Sequence, residues 1–325
     1  MARIALILAL GVAAATPAAA DVAEAADVVA RAYGDVAART AALADAAARD
    51  CDAASLRQPM QDAWDAWARI DFVRLGPVEK DGRALAMAFW PDPKSSGLRA
   101  QQAALDDGAA VASDAARFAA ASVAMRGFAG LERLVYDSPL TGAEAELCLL
   151  TRATAADLAR MGGEIAAEWP THAGLLNRPG GTNSTYLSRT EARQALYTQL
   201  VTGLSTLEKT RLGRPLGTFD KPRPERAEGI AAGRSLRNVV QSLDGMRDVA
   251  LALYPDAPQT RAAFDRALNL AEQMDDPVFA GVAEPQSRLK VELLQQAVNA
   301  AKVAVEREIG PGLGVTTGFN AQDGD

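Results

Sequence analysis

Glu132 is the residue best placed for chemistry in the stretch RGFAGLERLVYD, Arg126–Asp137. Leu131, Leu134 and Val135 recur around it at helical spacing, with Phe128 one turn earlier, so a carboxylate stands beside an apolar stripe. Two glycines, Gly127 and Gly130, interrupt the same helix. Each costs about 1 kcal/mol against alanine, which predicts a neighbour packed close against the backbone or a built-in bend. A buried carboxylate without a partner is costly, and Arg74, Arg83 and Arg126 are candidate counter-ions. Glu132 has three readings: a locked ion pair, the wall of a ligand pocket, or a ligand in a carboxylate-only metal site.

Other chemistry-bearing residues are few. In FWPD, Trp90 could wall a cleft with Asp92 as acceptor, or Trp90 could plug a loop against the core. Trp64 and Trp67, on a helix, read as core. Glu228 and Ser235, in AEGIAAGRS, stand at helical spacing and suit either a ligand or helix capping. The acidic end Asp323–Asp325 could help hold a cation or be a solvated terminus. The one histidine, His172, reads as a solvated loop residue. There is no H-E-x-x-H, no G-x-S-x-G and no phosphate loop. Zinc hydrolases draw their protein ligands largely from histidine, so this chain is poorly equipped as one.

The elements that must position these residues are helices. The apolar share of 49% is largely alanine, and aromatics make up 5%, a composition that favours helix over sheet. Helical periods run over about Asp21–Ala48, Ser55–Arg74, Leu98–Asp106, Ser113–Tyr136, Thr141–Trp169, Ser188–Leu212, Pro224–Tyr254, Thr260–Met274 and Pro285–Ile309. Gly76-Pro77 and Ser138-Pro139 are breakers, and Ser188 with Glu191 forms a capping box. Pro170–Ser188, rich in Gly, Pro, Asn, Ser and Thr, is the linker candidate. RIDFVRLGP in the first half is weakly echoed by LEKTRLGRPLG in the second. The expected fold is all-α: two tandem helical bundles, 21–172 and 186–325, with a pseudo-twofold relation.

The first residues, MARIALILALGVAAATPAAADV, carry one positive charge, an apolar run and an A-x-A pattern. They read as a signal peptide, residues 1–20, cleaved near Ala20–Asp21. The apolar run is short of the roughly 18 residues a spanning helix needs. No later segment spans a bilayer, and the expected compartment is the periplasm. Export favours a disulfide between Cys51 and Cys148, with two buried thiols as the alternative. The net charge of −7 and the lack of a basic stripe argue against nucleic acid.

Five stretches resemble the imelysin-like family, also called the M75 peptidase family: Ala63–Asp92, Arg126–Asp137, Leu207–Gly217, Pro224–Val239 and Leu313–Asp325. The resemblance implies an exported bacterial protein associated with iron uptake. The family motif is Gly-x-His-x-x-Glu on a helix. Gly127 and Glu132 match it, but Ala129 stands at the histidine position. Alanine has no lone pair to offer, which puts both peptidase activity and a family-like metal site in doubt. Glu228 and Ser235 match the second-half pattern. The resemblance thus implies a non-catalytic binding protein with a cleft between the bundles. The ligand-binding positions would be Arg74, Trp90, Asp92, Gly127, Glu132, Glu228 and Ser235. Its partner would be a small ligand or a cell-envelope protein of an iron-uptake system. No cofactor is required by the residues; an iron or zinc ion is what the family site would suggest. The alternative is a metal-dependent peptidase with a degenerate, carboxylate-based site.

Overall fold

The computed structural model describes residues 22–136 and 139–316. The expected signal peptide, Asp21 and the acidic end Asp323–Asp325 lie outside the described residues. Thirteen α-helices are present among the described residues: α1 Val22–Arg49, α2 Ala53–Ile70, α3 Arg83–Met87, α4 Ser96–Asp106, α5 Ala115–Ala119, α6 Gly127–Val135, α7 Glu144–Asn177, α8 Arg189–Thr206, α9 Gly213–Leu216, α10 Ser235–Leu253, α11 Pro258–Glu272, α12 Pro285–Ala304 and α13 Gly310–Leu313. Among these residues there is no strand beyond an isolated Thr218–Lys221 bridge. The fold is the expected all-α one.

The long helices follow from their stripes. On α1, Val29, Tyr33, Val36, Thr40, Leu43 and Ala47 are buried, one every three or four residues. The α2 start is set by Asp52, whose carboxylate accepts from the Ala54 N–H at 3.1 Å. Helix α1 packs on α2, α7 and α10, and α10 packs on α2. Their buried side chains belong to one apolar core that runs from Ala25 to Val315 and so joins both halves of the chain. Trp64 of α2 and Phe128 of α6 stack in it, ring centroids 5.3 Å apart. A smaller cluster, Leu105, Ala109, Ala112, Phe118, Met125 and Leu150, lies beneath α4 and α5.

Three expected boundaries change. Helix α7 does not stop at Trp169; it continues through Pro170 to Asn177. The buried row Leu158, Met161, Ile165, Trp169, Ala173 and Leu176 explains why. Packing along that row outweighs the proline penalty of about 3 kcal/mol. The irregular crossover is therefore 178–188, and His172 sits on a helix instead of in a loop. Its ring is half-buried, against Trp169, and its Nε2 lies 3.0 Å from the Tyr186 hydroxyl. The helix expected over Ser113–Tyr136 is instead α5, a 3-10 turn and α6. The one expected from Pro224 begins as helix only at Ser235, after a turn-rich segment.

Candidate functional site

Helix α6 starts at its glycine. Gly127 has φ +67°, a left-handed backbone that an L side chain rarely adopts. A Cβ there would stand 2.1 Å from the Ala86 carbonyl oxygen and 2.4 Å from that of Met87. A Cβ at Gly130 would stand 2.3 Å from the Met125 carbonyl oxygen. Both glycines let α6 enter a space already bounded by backbone, and Gly127 supports the site from behind. The helix then presents Ala129 and Glu132, three residues apart, to one cavity of about 570 Å³.

The cavity is closed from several parts of the chain. Trp90, Pro91 and Asp92 come from the loop before α4, Arg214 from α9, and Arg226, Ala227 and Gly229 to Ala231 from the segment before α10. Residues from both halves of the sequence thus meet around Glu132. Trp90 and Pro91 also form the shared wall of a second, smaller cavity of about 210 Å³ that includes Asp71, Arg74, Arg211 and Glu228.

Glu132 pairs with none of the three expected arginines. Arg126 is buried against Asp157 at 2.8 Å, and Arg83 bonds Glu164 at 2.9 Å and Glu168 at 2.8 Å. Arg74 donates to the Asp71 carbonyl at 2.8 Å and lines the smaller cavity. Glu132 Oε1 instead accepts the backbone N–H of Ala232 at 2.9 Å. Burial pushes its carboxyl above the ordinary glutamate value; the Ala232 N–H works against this, and the nearby Glu228 charge adds to it.

Asp92 lines the cavity with its oxygens already engaged. Oδ1 accepts from the Ser96 N–H at 2.9 Å and the Ser96 hydroxyl at 2.6 Å, and Oδ2 from the Gly97 N–H at 2.7 Å. Burial works to raise its carboxyl, but the Ser96 hydroxyl and the two N–H groups outweigh it and hold it below the ordinary aspartate value. Its contacts anchor the start of α4.

Beneath the smaller cavity lies a buried ion cluster. Arg211 pairs with Asp71 and, at 2.8 Å, with Glu228. Glu228 also accepts from Asn238 Nδ2 at 2.9 Å. Burial disfavours the Arg211 charge, but Asp71 and Glu228 more than compensate, so Arg211 holds its proton more firmly than usual. Burial pushes the Asp71 carboxyl up despite Arg211. Arg211 stands on a π-helical turn, Leu207–Leu212, that continues α8. The Glu208 carbonyl in this turn accepts the Gly213 N–H and also Gln295 Nε2, the latter at 2.9 Å. Ser235 is buried outside both cavities, its hydroxyl donating to the Glu228 carbonyl at 2.6 Å.

Of the expected site residues, the larger cavity brings together Trp90, Asp92 and Glu132, and the smaller one Arg74, Trp90 and Glu228. Sequence reasoning did not single out Asp71, Arg211, Arg214 or Arg226. The first three lie in the RIDFVRLGP and LEKTRLGRPLG stretches, so their signal was the echo between the halves. The side chains present do not fit a family-type metal site. Ala129 has no donor atom, the Asp92 oxygens serve α4, and Glu228 serves Arg211. Among the described residues no three His, Cys, Asp or Glu side chains converge as metal ligands.

The M75 peptidase (imelysin) family model matches residues 29–305. Iron-regulated protein A of Synechococcus elongatus is 22% identical over 281 residues, covering 78% of this chain and 73% of that protein. An imelysin-like protein from Psychrobacter arcticum superposes with a TM-score of 0.75 at 19% identity, over 93% of this chain and 100% of its own. A chain from Parabacteroides distasonis, designated an iron-regulated protein A precursor, does so with a TM-score of 0.70 at 10% identity, over 90% and 96%.

Proposed function

This chain belongs to the imelysin family, and from that premise we propose that it is an exported, non-catalytic binding protein of an iron-responsive system, periplasmic in a Gram-negative cell. Its ligand site would be the cavity around Glu132, where the expected bundles 21–172 and 186–325 meet. The observation that carries the reading is the state of the donors around Ala129. The position that would supply a nitrogen is alanine, and the nearby carboxylates of Asp92 and Glu228 are committed to the protein's own groups. What remains is a walled cavity of about 570 Å³, within the range of small-molecule sites.

Further support comes from the relatives' names, one iron-regulated and one a precursor, and from the Cys51–Cys148 disulfide, a bond typical of exported proteins. No helix among the described residues is long and apolar enough to cross a membrane.

The test uses mature protein purified from the cell envelope. Elemental analysis is expected to find no stoichiometric iron or zinc, and a casein assay no chelator-sensitive proteolysis. Native mass spectrometry is expected to find a small molecule that Ala129→Trp, by filling the cavity, removes. One equivalent of metal, lost on Glu132→Ala, would replace this reading with the carboxylate-based peptidase.

A further inference from the structure

The larger cavity is lined by three guanidinium groups, Arg133, Arg214 and Arg226, and by three carboxylates, Asp92, Glu132 and Glu225. Their formal charges balance, but their commitments do not. Asp92 is spent on the N–H groups of Ser96 and Gly97. Glu225 faces Arg223 at 3.6 Å. Glu132 is raised by burial toward its neutral form, with Ala232 and Glu228 acting in opposite directions on it.

The arginines differ from one another. Arg133 donates to Gln101 Oε1 at 2.6 Å and to the Ala124 carbonyl at 2.9 Å. Arg126, Arg211 and Arg234, buried nearby, each have a carboxylate. Arg214 has neither a carboxylate nor a carbonyl partner among the described residues, and its Nε is buried without an acceptor. It lies over the Trp90 ring, 5.9 Å from the centroid. That contact uses the charge of the guanidinium and leaves its N–H donors uncommitted. Arg226, at the exposed rim, likewise has no acidic partner among the described residues. Two uncommitted guanidinium groups therefore face one walled cavity in a chain whose net charge is −7.

We propose that the cavity binds a small organic polycarboxylate, with Arg214 on Trp90 as the principal anchor and Arg226 as a second one at the rim. The inference rests on the proposed binding function and names the chemical class of its ligand. A guanidinium fork matches a carboxylate through two parallel N–H···O bonds, and two such forks select a molecule that carries more than one carboxylate. Trp90 supplies an apolar face for its carbon skeleton.

The experiment is calorimetric titration of the mature protein with citrate, tricarballylate and succinate, with inorganic phosphate and Zn²⁺ as separate arms. Saturable one-to-one binding of a polycarboxylate is expected. Arg214→Gln should weaken it by about tenfold or more, the double variant with Arg226→Gln should abolish it, and Lys209→Gln, outside the cavity, should not change it. Circular dichroism melting establishes that each variant is folded. The proposal is overturned if all three polycarboxylates are silent, if phosphate binds as well as they do, or if folded Arg214→Gln/Arg226→Gln binds like the parent. A small molecule still displaced by Ala129→Trp in that case would leave the binding function standing and remove only the polycarboxylate. Loss of both would remove both.

Discussion

The backbone N–H of Ala232 donates to Glu132 Oε1 at 2.9 Å, joining positions a hundred residues apart. That bond fixes the turn before α10 to α6. Gln61 reinforces it, its Nε2 donating to the Ala232 carbonyl at 2.8 Å and its Oε1 accepting from Arg234 at 2.6 Å. The buried carboxylate therefore has a structural partner, and it is a neutral one.

Stability should depend on pH through this carboxyl. Burial raises it above its ordinary value of 4.5. The folded chain then holds that proton more tightly than the unfolded chain. Its contribution to stability is complete below the ordinary value and is lost as pH rises through the folded one. Glu132→Gln keeps an acceptor for Ala232 and removes the charge. Its melting temperature is expected to exceed the wild type's at about pH 8, with the gap narrowing toward about pH 5. A gap that widens on acidification would contradict the burial argument.

Gly127→Ala tests the entry of α6. The left-handed backbone costs an L residue about 1–2 kcal/mol, and a methyl forced into filled space adds about 1–3 kcal/mol. The opposing atoms are the backbone oxygens of Ala86 and Met87, which cannot swing aside as a side-chain tip can. Urea denaturation should show the sum of these losses; a change within about 0.5 kcal/mol, as at an unconstrained surface site, would refute the close approach.

Ala129→His places an imidazole three residues before Glu132, facing the same cavity. Zinc affinity should rise only modestly. Two ligands are short of the three or four that zinc takes from a protein, and Asp92 is held by Ser96 and Gly97. Equilibrium dialysis followed by gel filtration should recover less than one equivalent. Full retention would mean that further donors in the cavity are free to turn inward.

The Cys51–Cys148 bond ties the junction of α1 and α2 to α7 and spans 97 positions. Chain-entropy arithmetic for a loop of that length gives up to roughly 4–5 kcal/mol. Thiol titration of native, non-reduced protein should find no free thiol, and Cys51→Ser/Cys148→Ser should melt well below the wild type. Two reactive thiols would disprove the bridge.

The long helices and the cysteine pairing were legible because each rests on a pattern that survives tertiary context: a buried residue every third or fourth position, or two cysteines in a chain whose first residues read as a signal peptide. Trp90, Asp92 and Glu132 stand out in the sequence only as separate candidates; their meeting around one cavity depends on the packing of α6 against the loop before α4 and leaves no mark in the sequence. The break at 120–126 was not legible either, because that stretch holds no glycine or proline and its alanines are strong helix formers, so nothing local marks a stop. Pro170 misled for the opposite reason: its local penalty is strong, and only the buried row on α7 overrides it. That Asp92 would cap α4 was hidden, since a carboxylate reads the same whether it faces a ligand or an N–H group. Arg211 and Arg214 depend on a turn geometry that leaves no periodic trace.

That turn makes chain length a determinant of the site. A π-helical turn holds one residue more than an α-helical one, so Leu207–Leu212 has the form of a single-residue insertion in the line of α8. Removing one residue there would restore regular helical bonding and rotate the downstream residues by about 100°. Arg211 would swing away from Asp71 and Glu228, and Arg214 away from Trp90. Two apparently unrelated features, a buried ion cluster and a stacked guanidinium, are thus coupled through one codon, and a lineage that deleted it would lose both in the same step.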